Sequence, residues 1–465
     1  MKSVRSQPEN GVAGRLTYAY RNIYLSEVNF GYNGSENFLK GRRFSFFPSV
    51  SVGWVLSGYS GVQERLPWLR FLKLRYSFGS VGNDRISDSR FPYLTYISSS
   101  APGYTFGDYG ENAAPGIAET EVGSTNLVWE RALKHDVGID LSIAGKFWLE
   151  ADWFSSLREH IFMKRTDLPA IVGLPGSSYG NVGRMRSWGY DGTISYADRI
   201  GKVNFEVRGN FTVTRNKILQ YDESNALPDY QRMKGKSLGQ ARGYIALGLF
   251  RDSLDILNSP RHPGSVRPGD LKYKDVNGDG KIDELDIVPV GNSTVPRVQY
   301  GIAASVGWKG WELSVFGRGA GATDVFLGGM GYFPFSNGTE GNVLKQAARK
   351  VNRWIPAWYS GDPATENPDA RFPRLSYGEN RNNFLPSTHW LANAAYFRLK
   401  TVEIAYSFSP AWLHKIRLKR LRISVMGDNL HVWDKIRLWD PEQASGNGAV
   451  YPLTRSWLVN LQFNF

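Results

Sequence analysis

The chain has 465 residues, a net charge of +13, 15 Trp, 24 Tyr and 50 Gly. It contains no Cys, which excludes disulfides and thiolate metal sites. With mean hydropathy at −0.36, no run approaches the roughly 18 apolar residues of a membrane helix, so any membrane crossing is by a β-barrel. The basic balance permits nucleic acid or anionic lipid as partner. The reading preferred here places Lys and Arg in a wet lumen and in loops, with no nucleic-acid partner.

Met1 to Pro8 carries charge without an apolar centre, unlike a secretory signal. From there a period of two recurs along the chain, the mark of strands with one apolar and one polar face. Val28, Phe30 and Tyr32 alternate with Glu27, Asn29 and Gly31. Leu72, Leu74, Tyr76 and Phe78 alternate with Lys73, Arg75, Ser77 and Gly79. Val137, Ile139, Leu141 and Ile143 alternate with Asp136, Gly138, Asp140 and Ser142. Phe147, Leu149 and Trp153 alternate with Trp148, Glu150 and Asp152.

In the clearest case, Val203, Phe205, Val207, Phe211 and Val213 oppose Asn204, Glu206, Arg208, Asn210 and Thr212. Such runs of about 9–12 residues suit a tilted bilayer crossing better than a soluble sandwich. Near Phe397 the phase slips, which predicts a β-bulge at Lys400–Thr401. The final strand places Trp457, Val459, Leu461, Phe463 and Phe465 on one face. Trp54, Tyr76, Trp153, Trp308, Trp311 and Trp457 sit at strand ends, as interfacial girdles do.

The connections alternate in length. Arg21–Ile23, Ser57–Arg70, Ala144–Lys146, Arg199–Lys202, Lys309–Gly310 and Ser409–Arg420 are short or moderate. Asn33–Ser45, Asn83–Val128, Lys164–Ser187, Asn216–Pro296, Ala320–Tyr396 and His431–Ser456 are mostly long. This asymmetry predicts an all-β, antiparallel transmembrane β-barrel with short periplasmic turns and long extracellular loops, including excursions 83–128, 216–296 and 320–396. Tyr244–Phe250 is strand-like but belongs to the second excursion. Counting it as a crossing would reverse all later connections. About 13 crossing strands remain under this rule.

One constellation has metal-ligand spacing. Asp275, Asn277, Asp279, Lys281 through its carbonyl, Asp283 and Asp286 stand at positions 1, 3, 5, 7, 9 and 12 of a calcium loop, with Gly280 at the sharp turn. Asp286 replaces the usual Glu, and a turn of Gly, Asn and Asp needs no metal. The expectation is Ca2+ stiffening an external loop; no other cofactor is required. The six His show no ligand spacing, and neither a nucleophile elbow nor a phosphate loop occurs. The chain does not read as an enzyme. The basic run His414–Arg422 falls at a short link, where lipid headgroups are its expected contact.

Five stretches together resemble the SusC/RagA family of TonB-dependent outer-membrane transporters of Bacteroidetes. They are Phe47–Trp54, Leu72–Gly79 with Gly82–Asn83, Pro268–Asp283, Tyr396–Tyr406, and Gly427–Trp433 followed by Asp440–Glu442. The resemblance implies the C-terminal part of a barrel of about 22 strands that imports oligosaccharides or peptides. It also implies a SusD-like surface lipoprotein as lid and a TonB complex acting through a plug that these residues do not contain. Phe465, ending the last strand, is similar to the signal read by the barrel-assembly machinery. The expected place is the cell outer membrane, as a fragment not competent alone. The alternative is a soluble or surface-attached, calcium-stabilised β protein that binds carbohydrate.

Overall fold

The computed structural model describes residues 10–85, 91–166, 171, 177–336, 343–378, 380–413 and 418–464. The chain divides into two compact units. The first comprises 1–196, 213–228 and 232–238, and the second 197–212, 229–231 and 239–465.

The first unit begins with β1 (Asn10–Tyr20), β2 (Tyr24–Gly34), β3 (Phe44–Val55) and β4 (Leu69–Asn83). A hairpin of β5 (Tyr96–Phe106) and β6 (Asn112–Val122) follows, then β7 (Glu130–Ile143), β8 (Phe147–Lys164) and β9 (Ser177–Ile200). These pair in the order β1-β2-β3-β4-β7-β8-β9, every neighbour antiparallel. The strand β10 (Val203–Gln220) is divided between the units.

The second unit carries three small sheets in its loops. They pair β11 (Arg242–Gly243) with β14 (Val288–Pro289), β12 (Ala246–Leu249) with β13 (Leu271–Tyr273), and β17 (Asp324–Phe326) with β18 (Leu391–Asn393). Its long strands are β15 (Val298–Trp308), β16 (Trp311–Gly321), β19 (Tyr396–Ser407), β20 (Arg420–Asp434) and β21 (Ser456–Asn464). They pair antiparallel in that order. Apart from the β5–β6 hairpin, the described residues hold thirteen long strands. The expected count holds, and Tyr244–Phe250 lies in the small sheets as expected.

Burial is inverted relative to a water-soluble sheet. Val28, Phe30 and Tyr32 of β2 are exposed, as are Trp457, Val459, Leu461 and Phe463 of β21. Apolar faces of this extent need a cover, and a closed antiparallel wall in lipid supplies one. The buried hydrophobic core lies instead in the long loops. Tyr244, Leu271, Tyr273, Phe372 and Trp390 belong to one cluster drawn from excursions 216–296 and 320–396. The loops therefore form a folded body with its own core.

The connection expected at Lys164–Ser187 is much shorter than that span. β9 begins at Ser177, and Lys164 of β8 pairs with Tyr179. The register shifts at Arg158–Ile161, where His160 takes φ 57°. That irregularity and the small Gly180 and Gly183 erase the alternation by which a strand is recognised.

The slip at Lys400 is a true irregularity of pairing. Register shifts between Leu399 and Thr401 on the β20 side, and opposite Phe316–Gly317 on the β16 side. The facing Asn429 takes φ 58°, a left-handed conformation that Asn tolerates. This turns Asn429 to Arg398, whose Nη1 donates to its Oδ1. Arg398 Nη2 lies 2.6 Å from each carboxylate oxygen of Asp440, and its Nε lies 3.4 Å from Glu442 Oε2. Arg318 of β16 also pairs with Glu442. One buried guanidinium thus joins the Tyr396–Tyr406, Gly427–Trp433 and Asp440–Glu442 stretches.

Arg398 is 2% exposed, so removing it strands carboxylates in a dry site. Arg398→Ala is expected to lower stability by about 3–5 kcal/mol, read as a lower denaturant midpoint of the detergent-solubilised protein. Arg398→Lys is expected to recover only part of the loss, since an ammonium lacks the two-pronged fork.

Candidate functional site

The polar faces of the strands carry ordered charge networks. In the first unit, cross-strand register sets Lys73 opposite Asp140, Arg75 opposite Gly138, and Gly138 opposite Asp152. Gly138 is the gap through which the Arg75 guanidinium crosses β7. A Cβ there would lie 2.2 Å from Asp152 Oδ1 and 2.7 Å from Arg75 Cζ. Arg75 thereby reaches Asp140 at 3.0 Å, Asp152 at 2.7 Å and Glu150 at 3.3 Å. Lys73 lies 3.5 Å from Asp140. Asp191 faces Asp152 from β9. Lys73, Arg75, Asp140, Glu150 and Asp152 therefore meet as their shared face predicted. Asp191 escaped notice because its strand begins where alternation is weak.

In the second unit, Glu206 and Arg208 line a depression of about 210 Å³ with Ser314, Thr401 and Glu403. Arg422 Nη1 lies 3.0 Å from Glu403, and its Nη2 lies 3.4 Å from Glu312. What these walls offer is a hydrated surface of fixed charges, suited to passing a polar solute by successive weak contacts.

The expected calcium residues are brought together in one tight loop. Asp275 accepts from Gly278 N–H at 2.6 Å and from Gly280 N–H at 2.8 Å, with both glycines at positive φ. Asn277 Oδ1 accepts from Asp279 N–H, and Asp279 Oδ1 from Lys281 N–H. Asp286 is fully buried and closes the loop, accepting from Val276 N–H at 2.7 Å and Asp283 N–H at 2.9 Å. Lys281 Nζ sits 2.6 Å from Asp283 and 3.6 Å from Asp279. This ammonium holds the Asp283 carboxyl below the usual carboxylate range. The donors are all hard oxygens, which suits calcium. As placed, they serve backbone N–H groups and the Lys281 ammonium, and no group of three or more His, Cys, Asp or Glu among the described residues is set to hold one metal ion.

Next to this loop is the core that holds it. Asp270, fully buried, binds Arg374 at 2.9 Å, Asn383 at 2.8 Å and Arg267 N–H at 2.8 Å. Tyr273 donates its hydroxyl to the Asn382 carbonyl at 2.7 Å, and burial pushes its pKa up. His262 is buried as well. Its Nε2 accepts from Tyr273 N–H at 2.9 Å and its Nδ1 lies 2.8 Å from the Pro260 carbonyl. Both bonds are met by the neutral ring with its proton on Nδ1.

Comparison with known proteins decides the family. Residues 13–293, more than half of the chain, match the family model described as TonB dependent receptor-like, beta-barrel. The chain belongs to this TonB-dependent receptor β-barrel family. It is 26% identical to the TonB-dependent receptor P26 of Formosa agariphila, over 97% of this chain and 46% of that protein. It is 24% identical to the TonB-dependent receptor SusC of Bacteroides thetaiotaomicron, over 97% of this chain and 43% of that protein. The structure described as that of the RagAB peptide transporter matches at TM-score 0.74 and 19% identity, over 98% of this chain and 48% of that one. The last match shows the fold alone. The chain spans about half the length of these relatives. The family consists of outer-membrane receptors and transporters, not enzymes.

The His262 site gives the loop body a pH response. Burial, partly opposed by the Pro260 bond, lowers its pKa below the ordinary value of 6.5. A depressed histidine stabilises fully above its unfolded pKa, and that contribution is lost as pH falls below it towards the folded value. The protection factor of the Tyr273 amide, its exchange relative to the free-peptide rate at the same pH, is expected to fall between neutral pH and about pH 5. In His262→Gln, protection at neutral pH is expected to be lower and its change with acid flatter. An unchanged acid response in that variant contradicts the assignment.

Proposed function

We propose that the chain forms the C-terminal part of the barrel of a nutrient importer of SusC/RagA type, with oligosaccharides or peptides as cargo. The observation that carries this reading is the ion-paired polar face running across β4, β7, β8 and β9 behind an exposed apolar face. A wall that is dry on one side and charged on the other encloses a water-filled path. Cargo would pass along it unchanged, with specificity set by the folded long loops. A SusD-like surface lipoprotein is the partner proposed for the long-loop end. The relatives are about twice as long, and we assign the plug on which TonB pulls to length that this sequence does not cover. Transport then requires that remainder, and the 465 residues are not expected to import anything alone.

The test is fractionation followed by affinity capture of the tagged chain from its native host. Recovery from the outer membrane together with a plug-bearing polypeptide and a surface lipoprotein is expected. Recovery folded and detergent-free in the soluble fraction contradicts the barrel. Recovery from the membrane without either companion contradicts the importer.

Calcium at Asp275–Asp286 remains part of the proposal, as a stiffener of the external loop. Such an ion competes with the Lys281 ammonium for Asp279 and Asp283. Lys281→Ala keeps the carbonyl at that position and removes the competitor. Calorimetric titration is therefore expected to show tighter calcium binding in that variant than in the unaltered chain. No heat from either protein contradicts calcium and leaves a hydrogen-bonded turn.

A further inference from the structure

The charged wall of the first unit is filled, and that of the second is recessed. At Gly138 the space that a Cβ would need is taken by Arg75 and Asp152. On β15, the residues that alternate with exposed Ile302 and Val306 are Gly301, Ala303, Ser305 and Gly307. None reaches beyond a hydroxyl. The strands on either side carry longer groups on this face, Glu206 and Arg208 on β10 and Glu312 on β16. β15 is therefore the floor of a trough. A Cβ at Gly307 would meet nothing nearer than 3.8 Å, so the floor is open there. A Cβ at Gly301 would lie 2.6 Å from Asn210 Oδ1, so Asn210 closes the other end.

Two depressions follow this floor. The upper, of about 210 Å³, takes in Glu206, Arg208, Ala303 and Ser305. The lower, of about 670 Å³, takes in Glu206, Ser305, Gly307 and Glu312 and ends at Lys202 and Lys309 of the short links. They share Glu206 and Ser305 and so are continuous. Charge alternates along the β10 side, from Lys202 to Glu206 to Arg208. Among the described residues, none of these three enters an ion pair, although Glu206 and Arg208 stand only about 7 Å apart at about 3.3 Å per residue. Glu312 and Glu403, by contrast, are both held by Arg422. A carboxylate between two cations, each free of a partner, is complementary to a solute that carries an ammonium and a carboxylate. A neutral saccharide uses none of these charges. The floor at Ser305 and Gly307 also offers a sugar no ring to stack on, since Trp308 and Trp311 belong to the opposite, exposed apolar face.

We propose that the trough over β15 is a subsite for zwitterionic solutes, of which short peptides with free termini are the class. The ammonium group rests on Glu206. The carboxylate rests on Arg208 or on Lys202, which flank Glu206 along the strand. Lys202 lies about 13 Å from Glu206, the span of about four extended peptide residues. Such exposed ion pairs are weak, which suits a solute that must leave again. The proposal rests on the barrel reading, which makes this face the wall of the lumen, and it narrows the cargo at this point to peptides.

The test is ligand protection of a single thiol. Ser305→Cys is introduced into the chain, which has no Cys of its own, and its reaction with a water-soluble maleimide is timed in the purified, detergent-solubilised protein. Tetra-alanine with free termini is expected to slow the labelling, and salt is expected to weaken that protection. N-acetyl-tetra-alanine amide and maltotetraose are expected to leave the rate unchanged. Glu206→Gln, and separately Lys202→Gln with Arg208→Gln, are each expected to raise the half-protecting concentration of tetra-alanine by up to about fivefold, the range of an exposed ion pair. Ser77→Cys, on the polar face of β4, is expected to show no protection. The proposal is overturned if tetra-alanine gives no protection, or if the blocked peptide or maltotetraose protects as well as it does. It is also overturned if Glu206→Gln leaves protection intact, or if Ser77→Cys is protected equally. A Cys at Ser305 that reacts only when the chain is unfolded overturns the lumen reading instead.

Discussion

Hydrocarbon accepts no hydrogen bonds, so a chain that crosses it in strands must pair its N–H and C=O groups with neighbouring strands and turn its apolar side chains outward. Most features of this structure follow from that demand. Strands β1–β4, β7–β9 and, separately, β15, β16 and β19–β21 pair antiparallel with few irregularities. Their apolar residues lie exposed where a soluble sheet would bury them. The buried core is displaced into the loops, because only the loops stand in water and gain from hydrophobic collapse.

The polar faces obey the complementary rule. Charges on a wet wall need not be buried, yet they must not drift to the lipid side. Register keeps them in place, since a slip by one residue would carry Arg75 and Asp140 into the bilayer. The bulge at Lys400 shows how a strand changes phase without that cost. Below it, Val402 and Ile404 follow the membrane pattern; above it, Arg398 turns inward to a buried network with Asn429, Asp440 and Glu442. The same strand is lipid-facing wall at one end and loop anchor at the other.

Much of this was legible in the sequence because period two is a strong signal over nine or more residues. The alternation of Val203–Thr212, the short turns and the place of Tyr244–Phe250 all follow from it. The slip at Lys400 was also legible, as two incompatible parities within Tyr396–Phe408. What escaped are contacts between distant segments. Asp270 meets Arg374 and Asn383 across more than a hundred residues, and no local pattern announces such a pairing. The extension of β9 to Ser177 escaped because Gly180 and Gly183 carry no side chain to alternate. The calcium spacing and the hydrogen-bonded turn share one signature, since Asp and Asn at alternate positions suit both. The expected assembly role of Phe465 lies outside the described residues.

The absence of Cys permits a direct test of the central claim that these strands separate lipid from water. Single Cys residues are placed in turn at 203–208 along β10, and outer-membrane vesicles are treated with a membrane-impermeant maleimide. The account predicts labelling at Asn204, Glu206 and Arg208 and protection at Val203, Phe205 and Val207. Uniform labelling along the strand, or protection that ignores the alternation, would contradict it.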